Sequence, residues 1–210
     1  MFDKYINQLI VNKVFDFEED KIMMMKKVPF VLFPARSMAK FIQTISVDLG
    51  TKEALRLGYS AGEISSKQFA DKLGWLNNYV PDRMTMIFKM FEVMGFGRGE
   101  LKIWNQKENK LLALCTNQPV INWGKKLYGD KELICPFYMA IVSAHMHHEI
   151  ELKDCWLIET QCISKGAKFC EWSYNVFKQQ QEEANKNRPV LDDIDKKVDS
   201  ANEQHVAETK

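Results

Sequence analysis

From Pro34 to Val176 apolar residues recur in blocks, and the period of the pattern changes along the chain. Between Pro34 and Leu49 it is helical, and Pro34 suits the first position of that helix. Gly50 predicts a left-handed cap, and Thr51 a cap for a second helix running to about Leu73 and stopped by Gly74. The apolar positions of that helix include Ala54, Leu55, Leu57, Ala61, Ile64 and Phe69. Its small residues Gly58, Ala61 and Gly62 predict a close approach by another backbone. Pro81-Asp82 opens a third helix, with Met84, Ile87, Phe88, Met90, Phe91 and Met94 on a broad apolar face. Such a methionine-rich face suits ordinary core or an adaptable pocket. Upstream, Lys13–Phe17 alternates loosely, and Lys21–Met25 and Phe30–Phe33 read as short strands.

After Gly95-Phe96-Gly97 the period shortens to two. Glu100–Asn105 and Lys110–Cys115 read as the arms of a hairpin. A loop and short helix follow, ended by Gly129, and Cys135-Pro136 starts a helix to about Ile150. Leu152–Cys162 is strand-like, with Lys168–Val176 as its return strand around Lys165-Gly166-Ala167. A three-residue loop there sets Cys162 opposite Cys170. These elements read as one globular domain over residues 1–176. Residues 177–210 read as a polar, charged tail, helical or disordered, in which Val190, Ile194 and Val198 share a weak apolar stripe.

At 210 residues and 46% apolar content the chain suits a single domain with a substantial core. Its net charge is +1, so wrapping nucleic acid has no electrostatic support. No apolar run approaches the roughly 18 residues of a membrane span. The start, MFDKYINQLI, does not read as a secretory signal. The expectation is a cytoplasmic protein, where thiols stay reduced and clustered cysteines favour metal over disulfides.

Four of the five cysteines fall between Cys135 and Trp172, together with Glu159. Thiolates and a carboxylate drawn together by a tight turn meet the needs of zinc: soft donors, tetrahedral geometry and partial charge neutralisation. The candidate set is Cys135, Glu159, Cys162 and Cys170. Glu159 and Cys162 are an odd number apart, so a regular strand would point them to opposite faces. A bulge or strand end near Gln161 would turn Cys162 inward. Cys155 shares the parity of Glu159 and is the rival ligand, and buried cysteines also serve as plain core residues. His145, His147 and His148 form a second cluster, suited to a metal, a haem, a polar ligand or solvent. No nucleophile–base pair, nucleotide loop or flavin motif stands out, so an enzymatic reading has no motif behind it.

Cys135-Pro136-Phe137-Tyr138, then Glu159-x-x-Cys162, Gly166 and Cys170-Glu171-Trp172 resemble the C-terminal signature of the 4-vinyl reductase domain family. Leu57-Gly58-Tyr59-Ser60-Ala61-Gly62, Met94-Gly95-Phe96-Gly97 and Asn117-Gln118-Pro119 are similar to its upstream parts. The resemblance covers a core of about residues 30–176 and implies an α+β fold, an antiparallel sheet packed with helices. That fold is shared with nitric-oxide-sensing (NO-signalling) haem domains and Golgi-transport TRAPP vesicle-tethering subunits, and a homodimer formed through N-terminal regions is implied with it. It also implies a zinc site like that in the sensor modules of aromatic-responsive bacterial activators, carried over to Cys135, Glu159, Cys162 and Cys170. Trp123 and His145 are then candidate pocket residues for a small hydrophobic or aromatic ligand. Those activators continue into an ATPase and a DNA-binding motif, whereas this sequence continues into the polar tail. The expected function is a stand-alone sensor module with a structural zinc. One alternative is a TRAPP-like dimeric assembly protein without a small ligand, whose tail recruits a protein partner. A third is a tetrapyrrole-handling accessory or reductase, as the family's name suggests.

Overall fold

The computed structural model describes residues 15–17, 22–24, 28–31, 33–73, 87–92, 94–105, 107–150, 152 and 155–186. Three short antiparallel strands lead, β1 (Phe15–Phe17), β2 (Ile22–Met24) and β3 (Val28–Phe30). The third strand begins before the expected Phe30. Its Pro29 pairs opposite Met23 on an edge strand, where a missing amide is tolerated. Val31 and Phe33, expected to be strand residues, are exposed instead.

Helix α1 (Ala35–Asp48) follows, with Pro34 as its N-cap in extended geometry rather than as its first helical residue. It buries Ala39, Ile42, Gln43 and Ser46, a stripe at helical spacing that includes two polar residues. Gly50 has φ +88°, as expected for the residue that breaks this helix. Its carbonyl accepts from Ala54 N at 3.1 Å, so Gly50 caps helix α2 (Thr51–Leu73) and Thr51 is already helical. Ala61 and Ile64 of α2 face outward, contrary to the apolar stripe drawn from sequence. The expected helix start at Pro81, the stop at Gly74, and Met84 lie outside the described residues, as does the tail beyond Lys186. Residues 87–92 form a short helix α3, burying Ile87, Met90 and Phe91.

The main sheet has the order β4-β5-β7-β6, antiparallel throughout. Strand β4 (Arg98–Asn105) pairs with β5 (Lys110–Thr116) as the expected hairpin. Along β5, Leu111, Ala113 and Cys115 point inward, opposite Tyr174, Trp172 and Cys170 of β7 (Cys170–Tyr174). Strand β6 (Ile158–Gln161) is the far edge and is much shorter than Leu152–Cys162; Leu152 and 155–157 pack in the core without strand pairing. Between β5 and β6 lie α4 (Pro119–Tyr128), a 3-10 turn (Gly129–Lys131) and α5 (Cys135–Ile150). Helix α6 (Lys178–Lys186) closes the described chain. Its Gln181 is buried; Nε2 donates to Trp156 O at 2.8 Å and Oε1 accepts from Asn175 N at 3.2 Å.

Helix α5 is buried from Cys135 to Met146 on nearly every side, as an apolar helix at the centre of a layered fold must be. It packs against α2 through the glycines singled out in the sequence. A Cβ on Gly58 would lie 2.4 Å from Phe137 O, and one on Gly62 2.6 Å from Ile141 O. Ala140 and Ala144 of α5 complete the small-residue seam, with Tyr59 and Trp156 at its border. No helix among the described residues is long and apolar enough to cross a membrane. Gly62→Ala must push the two helices apart, because the obstructing atoms are backbone. The expected cost is about 1–3 kcal/mol of unfolding free energy, despite alanine's better helix propensity, read by chemical denaturation.

Candidate metal centre

Cys135, Glu159, Cys162 and Cys170 meet at one place, with one donor atom from each lying within 4.8 Å of all the others. Each arrives by a different route. Cys135 is the first residue of α5, and Cys170 opens β7. Glu159 stands on β6 opposite Trp172, and its Oε1 accepts from Trp172 Nε1 at 3.4 Å. Cys162 follows the end of β6. Two residues of β6 advance, Glu159 to Gln161, for one of β7, Trp172 to Glu171. The extra residue, Thr160, is a bulge that reverses the parity of everything after it, and the strand ends at Gln161. Both conditions for turning Cys162 inward are therefore met. The loop is longer than three residues, however, because β7 begins at Cys170. Cys162 is not the cross-strand neighbour of Cys170; Cys115 is. Cys155 is buried apart from the cluster, its amide donating to Leu152 O at 3.1 Å.

None of the five cysteines forms a disulfide. The Cys135–Cys170 sulfur separation is 3.8 Å, and Cys135–Cys162 is 3.1 Å. A tetrahedral zinc–thiolate site with bonds near 2.3 Å has an S···S edge of about 3.8 Å. The first pair already spans such an edge, and the second needs to open by about 0.7 Å, a side-chain adjustment. Ser164 Oγ sits 2.8 Å from Cys162 Sγ, and Ile163 N donates to Cys170 Sγ at 3.4 Å. Three soft sulfurs and one oxygen with such support fit a borderline-soft divalent cation.

The electrostatics favour the same conclusion. Hydrogen bonds from the Cys135 and Cys170 thiols push Cys162 far below the ordinary thiol range. Its bonds to Cys162 and Cys170, with burial, push Cys135 up. The bond with Cys135 pulls Cys170 down, but the bond to Cys162 and burial outweigh it and its net shift is upward. Burial, followed by the charge on Cys162, raises the Glu159 carboxyl to about 8. Burial and mutual proximity thus oppose several charges at once in the cluster. Only a cation at the centre makes full deprotonation favourable.

The histidines lie along the same helix. Ser65 Oγ donates to Gly62 O at 2.9 Å and lies 2.8 Å from His145 Nε2. The His145 ring stacks on Phe69, centroids 6.0 Å apart, and meets Phe91 edge-on at 5.1 Å. Phe96 extends this aromatic wall to Phe91 and Tyr138. His147 Nδ1 is 2.6 Å from Tyr59 Oη, and His148 Nε2 is 3.5 Å from Glu63 Oε1. All three histidines therefore reach α2. His145 is buried inside this wall. Trp123 is 36% exposed on α4, with Arg36 and Lys126 over its ring. The sequence reading missed Gln43, Glu132 and Ser164. Gln43 had left a signal, a polar residue in the buried stripe of α1.

No family model matches the sequence, and no curated protein matches it. A crystal structure of the phenol-responsive sensory domain of the transcription activator PoxR with phenol does match the fold. The TM-score is 0.60 at 11% identity, covering 90% of this chain and 98% of that one. The fold is similar to that of a sensory ligand-binding domain. A trafficking protein particle complex subunit 3 from Naegleria fowleri, covalently bound to palmitic acid, aligns at TM-score 0.48 and 10% identity, over 66% of this chain and 92% of that one. The PoxR likeness is one of architecture, and at its score the second match adds no argument.

Metal addition at pH 7 is expected to release protons from the thiols and from Glu159, whose carboxyl burial holds at about 8. Affinity then falls as pH falls. Calorimetry in buffers of different ionisation enthalpy checks the count, which drops by one in Glu159→Gln.

Proposed function

We propose that the chain is a small-molecule-binding sensor module, whose sheet is clamped to α5 by a structural zinc held by Cys135, Glu159, Cys162 and Cys170. The convergence of these four donors carries the reading. Zinc is the metal of choice because thiolates dominate the donor set and no geometry beyond a tetrahedron is asked for. Four protein ligands leave no position for a water, so the ion holds structure rather than hydrolysing a substrate. The fold of the PoxR domain, whose structure carries phenol, supports a ligand role. The aromatic wall around His145 is the proposed pocket side, suited to a small hydrophobic or aromatic molecule whose polar group meets the imidazole. Together with the motifs, that architecture also supports kinship with the 4-vinyl reductase domain family. Reduced cysteines suit a reducing compartment, and the reading places the protein in the cytoplasm.

A homodimer belongs to the same reading. Phe41, Val47 and Leu49 of the α1 region are more than half exposed. Val47 also lines a groove of about 690 Å³ with Leu127 and Tyr128 of α4. Native mass spectrometry of protein drawn from its own cells tests the whole proposal. The expected mass is two chains, each with one zinc, plus a small molecule. Protein partners alone, without a small molecule, would replace the sensor with the assembly reading.

The clamp has its own test. Cys162→Ser combined with Cys170→Ser is expected to abolish zinc retention in elemental analysis and to lower the thermal midpoint, since structural zinc contributes folding free energy. A doubly substituted protein that keeps the wild-type melting curve would remove the clamp from the proposal.

A further inference from the structure

Glu132 is buried three residues before Cys135, at 6% exposure. Helix α1 grips the backbone on both sides of it. Gln43 Nε2 donates to Lys131 O and Leu133 N donates to Gln43 Oε1, each at 2.9 Å. Ser46 Oγ donates to Leu133 O at 3.0 Å. With both neighbours tied to α1, the Glu132 side chain runs inward to the start of α5. Its Oε1 accepts from the amides of Ile134 and Cys135, the latter at 3.1 Å, and so satisfies donors that a helix start leaves unpaired. Its Oε2 has no hydrogen-bond partner among the described residues.

A neutral serine or asparagine caps a helix as well as a carboxylate does. Burying a carboxylate is costly, so its use here needs a further reason. Length supplies it. Glutamate reaches the Cys135 amide from outside the helix and fixes the backbone that carries the sulfur. We propose that Glu132 is a positioning residue of the metal centre, fixing the first turn of α5 so that Cys135 Sγ meets Cys162, Cys170 and Glu159 at one point. This rests on the metal reading above and concerns a residue outside the donor set.

Cobalt(II) serves as the probe, because its sulfur charge-transfer absorption reports each thiolate bond. Glu132→Asp keeps the charge and withdraws the carboxylate by one methylene. Glu132→Gln keeps the reach and removes the charge, and Glu132→Ala removes both. Cobalt loss to a chelator is expected to be roughly 10–100-fold faster from the Asp and Ala proteins, with a weakened sulfur band. The Gln protein is expected within about threefold of wild type. If the Ala protein does not fold, the Asp protein carries the comparison. Wild-type release and spectrum in the Asp protein overturn the proposal. Release from the Gln protein as fast as from the Asp protein also overturns it, because charge and not reach would then be decisive. Wild-type protein that takes up no cobalt fails the metal reading itself, which separates the two failures.

Discussion

The contact between α2 and α5 is the constraint from which the rest follows. Two glycines let the backbones of these helices come so close that even an added methyl would force them apart. Everything chemically notable hangs on α5 or faces it. Cys135 stands at its first position, and His145 stands ten residues later, about 15 Å along the axis at 1.5 Å per residue. Because interiors are close-packed, such a helix moves as a unit or not at all. A sulfur at one end and an imidazole at the other are thereby held in fixed relation.

The cluster at the start of α5 is a contest over protons. Four acidic donors share a buried space, and without a cation most of them stay neutral. The fold supplies the donors from three separate places, the start of α5, β6 with its following loop, and β7. A cation there would tie the last two strands of the sheet to the central helix. That position, at the edge rather than the middle of the sheet, is where pairing is weakest and a clamp has most to hold.

Much of this was legible in the sequence because it depends on local chemistry. The limits of α1, α2, α4 and α5 follow from Pro34, Gly50, Gly129 and Pro136, whose backbone preferences act within one turn. The close approach at Gly58 and Gly62 was readable for the same reason. The parity conflict between Glu159 and Cys162 required a bulge, and Thr160 supplies it. What escaped depends on partners far along the chain. Cys115 faces Cys170 because β5 pairs with β7, a choice no local signal reveals. Glu132 is turned inward by Gln43 and Ser46, some 90 residues away in sequence. Leu152 and 155–157 have strand composition but pack in the core without pairing to a strand. Trp123 lies on the surface because α4 turns its apolar side, Val120, Ile121 and Gly124, inward.

Gln181 lies past the point where composition turns polar, yet it satisfies the Trp156 carbonyl and the Asn175 amide and is itself steadied by Asn185 Oδ1 at 3.2 Å. The folded body therefore does not stop where its apolar residues do. Cutting the polypeptide at Val176 would strip two main-chain groups of their partners beside the edge strand. An excised or transplanted version of this body keeps its seam sealed when it runs at least through Asn185.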